Sequence, residues 1–294
     1  MRSNSRLPLV AIVGAGRVGS TLGRILHQTG WRVGPIVTRS MQTARAARRS
    51  IGSGQPQVGM SEAVLAADLI LIATPDRAIA QTAEALARIA SSEAWRGKIV
   101  LHTSGALGSD VLKPLALRGA EIGSVHPLQT FSGHTVPSLA GCTCGIEGSP
   151  VALRMARRIS HELGCVPVVL PSRRKAAYHV AAALAAGHVL AVMEAAVRIL
   201  VKAGFPRQRA IRALLPLSRQ TLANYERFGP RAAWTGPLSR GDFSVIERHL
   251  EALRHFPREY REAYDALSKL GLSVLANGGG SKKRPLEQTL ARIK

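Results

Sequence analysis

Leu9-Val10-Ala11-Ile12-Val13-Gly14-Ala15-Gly16-Arg17-Val18-Gly19 is the stretch on which the fold turns. Its five leading apolar residues read as a strand buried on both faces, as strands of parallel sheets are. They run straight into Gly-x-Gly-x-x-Gly, which opens a helix carrying Leu22, Ile25 and Leu26. The glycine spacing alone is a weak signal; its place between a buried strand and a helix makes it specific. Gly14 permits the tight turn, Gly16 lets backbone approach a diphosphate, and Gly19 lets the helix close on the sheet. The helix N-terminus then offers unbonded amides and a positive dipole end to that anion. Gly14, Ala15, Gly16, Arg17, Val18 and Gly19 are therefore the expected cradle of a dinucleotide.

Outward from this turn, short apolar runs alternate with helical patterns. Strands are expected at Val33 to Thr38, Val58-Gly59, Leu69 to Thr74, Ile99 to His102, Ile122 to Val125, Cys144 to Ile146 and Val166 to Leu170. Helices between them imply crossover connections and a parallel sheet. From Pro171 the character changes. Ser172 to Lys202 reads as one long helix, Arg207 to Phe228 as a second with a kink at Pro216, and Phe243 to His255 and Arg258 to Leu272 as two more. The fold class is thus α/β: a Rossmann-type doubly wound parallel sheet followed by an all-helical C-terminal domain. The division expected is 7–171 for the NAD(P)-binding domain, 172–275 for a helical substrate and dimerisation domain, and 276–294 for a flexible basic tail around Gly278-Gly279-Gly280-Ser281-Lys282-Lys283-Arg284.

Composition narrows the function classes. The most apolar stretch, Val180 to Val201, is mostly alanine and carries His188, Glu194 and Arg198, so a buried helix is expected rather than a membrane span. Met1 to Arg6 is polar and shows no signal-peptide pattern, which with three cysteines fits a cytoplasmic protein. Cys142 and Cys144 lack the further ligands that zinc needs and read as core residues; no metal is expected. Lys and Arg total 40 against 18 Asp and Glu, a net charge of +22, which draws anionic partners. The basic residues are scattered and aromatics make up only 4%, too few for a stacking platform, so specific nucleic-acid binding is not expected. Solvated basic faces and a phosphorylated cofactor account for the excess.

About 20 residues beyond the glycines, NAD binders place a carboxylate on the ribose. Here Thr38-Arg39-Ser40 stands instead. Guanidinium and hydroxyl groups can hydrogen-bond a 2′-phosphate that a carboxylate would repel, so NADP(H) is preferred, with NAD(H) as the alternative. Arg39 is otherwise a solvated surface residue. Thr74 and Pro75, after the most apolar strand, are expected to line the cofactor, and Asp76 either joins them or caps the next helix.

Strand carboxyl ends face the ligand crevice in such sheets. One ends in His102-Thr103-Ser104-Gly105 and the next in Ser124-Val125-His126-Pro127. Lys175 and His179, four residues apart, lie about 40° from one another on the long helix, whereas Tyr178 is turned about 100° from His179. Hydride transfer needs a group that exchanges the accompanying proton, a task suited to His126 or to Lys175 with a lowered pKa. Ser104 would orient the substrate oxygen, with Gly105, His179 and Arg240 contacting substrate and Asp242 capping the following helix. His188 lies about 220° from Lys175 and reads as structural.

Gly14 to Gly19, His102-Thr103-Ser104-Gly105-Ala106, His126 to Phe131, Lys175 with Tyr178-His179, Thr235-Gly236-Pro237 and Arg240-Gly241-Asp242 together resemble a bacterial Rossmann-like family with domain of unknown function 2520, over roughly residues 8 to 275. The resemblance implies an NADP-type fold with a helical C-terminal domain. Lys175 to His179 is similar to the Lys-x-x-x-Asn of 3-hydroxyacid dehydrogenases, whose lysine assists proton transfer, with His179 in the place of the asparagine. Ser124-Val125-His126-Pro127 is similar to the His-Pro segment of prephenate dehydrogenases, whose histidine is catalytic. Pyrroline-5-carboxylate reductases share the N-terminal pattern but not the C-terminal signature. The expectation is an NADP-dependent oxidoreductase moving a hydride to or from a small anionic carbonyl, hydroxy acid or imine, as a homodimer; the alternative is a non-catalytic NADP(H)-binding sensor.

Overall fold

The computed structural model describes residues 7–133, 135–275 and 285–289. Eight strands form one sheet: β1 (Leu9–Val13), β2 (Arg32–Thr38), β3 (Gln55–Val58), β4 (Leu69–Ile72), β5 (Ile99–His102), β6 (Glu121–Pro127), β7 (Thr143–Gly148) and β8 (Val166–Val169). Their order is β3-β2-β1-β4-β5-β6-β7-β8. The helices of this part are α1 (Arg17–Gln28), α2 (Met41–Ile51), α3 (Asp76–Arg88), α4 (Ser92–Trp95), α5 (Lys113–Ala116) and α6 (Pro150–Glu162). The third strand precedes the expected Val58-Gly59 and ends there.

The period of two along each strand explains the double winding. Val10 and Ile12 face one layer, with Leu22 and Leu26 of α1 and Ile159 of α6. Ala11 and Val13 face the other, with Ile79, Ala83 and Leu86 of α3 and the buried Trp95. Strands buried on both faces carry almost no polar residue, which is why the first reading from Leu9–Val13 holds. The chain reverses its direction of winding between β1 and β4, and loops at their carboxyl ends flank the crevice this creates.

The sheet is parallel from β3 through β6, but β7 runs antiparallel to β6. The described residues of 128–142 between them hold no helix, so the chain returns without the crossover that a parallel pair requires. Strand β8 then pairs parallel to β7 across α6. Cys144 and Cys165 are buried, Cys142 is half-buried, and all three thiols are free.

The compact units divide at Ala186/Gly187 rather than at Pro171. Polar side chains of the first turns of the long helix are hydrogen-bonded into the sheet, so those turns fold with it. The helix comprises α7 (Ser172–Ala183), a π turn at Leu184–His188 and α8 (Val189–Lys202). Expected to be buried, it is instead exposed: it is long and apolar enough to cross a membrane, with a mean hydropathy of 1.9, and only 6% of its apolar window is covered.

The second unit contains α9 (Arg207–Ala233), α10 (Pro237–Arg240), α11 (Phe243–Leu253) and α12 (Arg258–Leu275). Pro216 sits inside α9 without a helix break; the break comes at Gly229, whose φ is 78°. Ile246, Leu250 and Leu272 form its core with Leu286. Residues 285–289 are helical, so this part of the expected tail is packed; 276–284 and 290–294 lie outside the described residues.

Gly14 has φ +91°, and a Cβ there would stand 2.7 Å from the Thr74 backbone nitrogen. Gly14→Ala is expected to cost at least about 2 kcal/mol, because strain and a backbone clash coincide. Urea unfolding of the variant checks this, and an unchanged midpoint would contradict the packing of this turn.

Candidate active site

A cavity of about 630 Å3 lies at the carboxyl ends of β1, β2 and β4, lined by Gly14, Gly16, Thr38, Arg39, Thr74 and Arg77 among others. The Gly14 amide donates to the Val37 carbonyl at 2.8 Å and pins the glycine loop across to β2. A Cβ at Gly19 would lie 2.6 Å from the Gly14 carbonyl oxygen, so internal packing demands glycine at 14 and at 19. Gly16 differs. Its φ of −78° suits other residues, and a Cβ there would meet nothing within 4 Å. No contact within the protein calls for glycine at 16; the open space over it is what a close-lying diphosphate requires. Helix α1 has neither a side-chain cap nor an acidic residue in its first turn, which leaves its positive end for an anion. Thr74 Oγ1, on the same rim beside Pro75, is buried without a hydrogen-bond partner among the described residues. These features fit a dinucleotide.

At the far end of the groove the three expected residues divide their work. Thr38 Oγ1 donates to the Ser40 carbonyl at 2.7 Å, and Ser40 Oγ caps α2 by accepting from the Thr43 amide at 3.2 Å. Arg39 is exposed and brings the guanidinium to the rim. No acidic residue stands at the end of β2 or in the first turn of α2.

The second cluster is built on β5, β6, β7 and α7. Lys175 is 2% exposed; its Nζ donates to Ser124 Oγ at 2.6 Å and to the Ser104 carbonyl at 3.0 Å, with Glu147 Oε2 at 3.8 Å. Burial pushes this ammonium down to about 8 against the opposing pull of Glu147. Glu147, inside β7, also accepts from the Ser109 amide and hydroxyl and from the Ser172 hydroxyl. Lys175 is therefore enclosed by protein groups, not presented to a ligand as the sequence led one to expect.

Ser104 departs from its expected part as well. Its hydroxyl donates to Asp76 Oδ2 at 2.9 Å and accepts from the amides of Ala106 and Leu107. A hydroxyl has one proton, and here Asp76 holds it, so Ser104 secures the loop after β5 instead of orienting a substrate oxygen. Asp76 is the first residue of α3 and caps nothing; it is Ser104's anchor.

His126 Nδ1 lies 3.1 Å from Tyr178 Oη, and the ring centroids of His126 and His179 are 6.0 Å apart. Helix geometry does separate Tyr178 from His179, yet His126 meets both. The two histidines converge on Gly105, where a Cβ would come within 2.8 Å of His126 Nε2 and of His179 Cδ2, whereas Tyr178 packs over Gly145, where a Cβ would stand 3.2 Å from its Oη. Desolvation first, then His179 and Lys175, lower the His126 pKa to about 4, so the imidazole is neutral at pH 7. Burial raises Tyr178 to about 12. His102, fully buried, accepts from the Ser104 amide at Nδ1 and donates from Nε2 to the Gly108 carbonyl; burial holds it near 4 too. In the second unit, Arg240 Nε donates to Asp242 Oδ2 at 2.9 Å. That pair explains why Asp242 does not cap α11, and it leaves the Arg240 charge already matched.

Glu147 was not singled out from the sequence, and Tyr178 was named there beside Lys175 and His179 without a role. A glutamate inside an apolar strand is the signal for the first, since a buried carboxylate needs partners. For Tyr178 no periodicity argument serves, because its partner comes from another element.

This architecture, with its glycine loop at the switch point, defines a Rossmann-type nucleotide-binding fold. Residues 2–127 match the profile of the Rossmann-like domain, and residues 142–270 that of domain of unknown function 2520. No curated protein sequence matches significantly. Among solved structures, a candidate NADP oxidoreductase from Bacteroides fragilis superposes with a TM-score of 0.74 at 22% identity, covering 90% of this chain and 97% of its own. An imine reductase from Pseudomonas sp. gives 0.67 at 20% identity, covering 97% and 99%. A reductive aminase from Aspergillus terreus, in complex with NADPH and ethyl-5-oxohexanoate, gives 0.68 at 13%, covering 91% and 94%. At these identities the likeness is one of fold.

Between about pH 4 and 6.5 the unfolded chain binds protons at His102 and His126 that the folded protein excludes. Stability is expected to fall as pH falls through that window. His126→Gln removes one of the two groups and should flatten the slope of unfolding free energy against pH. An unaltered slope in urea titrations would place His126 outside this linkage.

Proposed function

We propose that the protein is an NADP(H)-dependent oxidoreductase that moves a hydride to or from a small anionic carbonyl, hydroxy acid or imine. The observation that carries this reading is Gly16, a glycine that neither backbone angle nor packing requires, at the uncapped end of α1. The fold likeness to NADP-type reductases supports it. Gly14, Ala15, Gly16, Arg17, Val18 and Gly19 supply the diphosphate cradle through backbone, Thr74 and Pro75 its wall. Arg39 faces the 2′-phosphate, with Thr38 and Ser40 shaping the turn that carries it.

Bound in this groove, the nicotinamide provides or accepts the hydride. The chain's own task is the proton and the positioning. Tyr178 Oη reaches the His126 carbonyl at 3.4 Å as a donor. With that proton so placed, Nδ1–H of His126 donates to Tyr178 Oη, and Nε2 keeps its lone pair. A substrate hydroxyl reaching Nε2 gives it its proton as its carbon loses hydride; reduction uses the same atoms in reverse. His179 borders this position. Lys175 and Ser104 act through position: the ammonium and the Asp76-bound hydroxyl fix the loop that carries Gly105.

The exposed apolar length of the long helix supports a second copy as its cover. Its first turns end in a polar hydrogen-bonded network, which favours protein over lipid there. Light scattering on the purified chain should give a dimer, and a monomer would overturn this part.

Screening metabolite pools for NADPH oxidation tests the central reading. His126→Ala is expected to lower turnover roughly 10²- to 10⁴-fold, and Arg39→Ala to weaken NADPH by about tenfold or more while sparing NADH. A wild-type protein whose melting temperature ignores saturating NADPH would refute it.

A further inference from the structure

A second cavity, of about 310 Å3, opens beside His126 and is lined also by Arg17, Thr103, Gln129 and Phe131. It shares no lining residue with the dinucleotide groove. Arg17 is the first residue of α1, and its backbone belongs to the glycine loop. Its side chain goes elsewhere. The stem lies along the loop between β6 and β7, close enough that a Cβ on Gly133 would stand 2.8 Å from Arg17 Cδ. No salt bridge to a carboxylate forms at this guanidinium among the described residues, so, unlike Arg240, it is not already matched. Arg17 thus lines the same small chamber as the neutral imidazole.

Guanidinium recognises carboxylate through paired, charge-assisted hydrogen bonds. The chamber is at the low end of the range for ligand pockets, about 300–1,000 Å3, so anion and reacting centre must belong to one compact molecule. We propose that this cavity takes a compact 2-oxo or 2-imino acid, or the corresponding 2-hydroxy or 2-amino acid, with Arg17 clamping its carboxylate. The inference rests on the oxidoreductase reading and names its substrate class. In reduction the carbonyl or imine carbon gains hydride from the reduced nicotinamide, which is oxidised, as the π bond to the heteroatom breaks. That heteroatom gains a proton taken from solvent and delivered through His126 Nε2. The Arg17 side chain thereby takes the place foreseen for Arg240, whose charge Asp242 already matches.

Calorimetry on the NADPH-loaded full chain tests this with two non-reducible acids, oxamate and pyrrole-2-carboxylate, each against its neutral amide. At least one acid should bind roughly tenfold or more tightly than its amide, and R17Q, held saturated with NADPH, should abolish that preference. Two results would overturn the proposal: no acid preferred over its amide, or a preference that survives in NADPH-saturated R17Q, which with a loss of NADPH affinity would give the guanidinium to the cofactor's phosphates. If wild-type protein fails to bind NADPH, the oxidoreductase reading falls by itself. The acid-over-amide comparison on the unloaded chain, wild type against R17Q, then decides the carboxylate site separately.

Discussion

One buried ammonium ties together the elements on which the candidate site is assembled. Lys175 reaches from α7 to the loop after β5, to the middle of β6 and towards Glu147 in β7. Taking such a charge out of water carries a penalty of several kcal/mol, and it persists only where geometry and hydrogen bonding are good. The register that sets Ser124 opposite Glu147 on the antiparallel β6–β7 pair provides both. The reversal of β7 is thus more than an edge detail. It brings a carboxylate beside the serine that shares the ammonium, and Glu147 in turn holds Ser109 and Ser172 at the ends of two neighbouring segments.

That arrangement separates the groups that hold from the groups that face a ligand. Lys175, Glu147, Ser104 and His102 are buried and bonded to partners inside the protein, and the exposed Asp76 is tied to Ser104. His126 and His179 are half-buried around a glycine too close to both to accept a methyl group. Fixing the first set precisely enough to hold the second in place is what a site needs for pre-organisation.

The parts legible in the sequence are those set by local pattern. The stretch from Leu9 to Gly19 announces strand, turn and helix because burial on both faces and the glycine spacing are properties of neighbouring residues. His126 and Lys175 were likewise visible, one at a strand end and one in a first helical turn. Their partners were not. Whether Lys175 is enclosed or presented depends on Glu147 and Ser124, which are 28 and 51 residues away in the chain, and on a strand whose direction follows from the lack of a helix among the described residues of 128–142. Ser104 looked available because nothing local says that Asp76 takes its proton. Arg240 looked available because a side chain two residues on, Asp242, was assigned to a cap instead.

The long helix shows the same limit at larger scale. Its alanine-rich composition suggested a buried element, yet composition measures what a surface would accept and not what covers it. The π turn at Leu184–His188 matters here. It inserts an extra residue relative to regular α-helix, so faces drawn through Lys175 and Tyr178 do not continue in register along α8. Beyond the π turn, Val189, Leu190 and Val192 stand exposed, apolar surface of the kind that marks an interaction site.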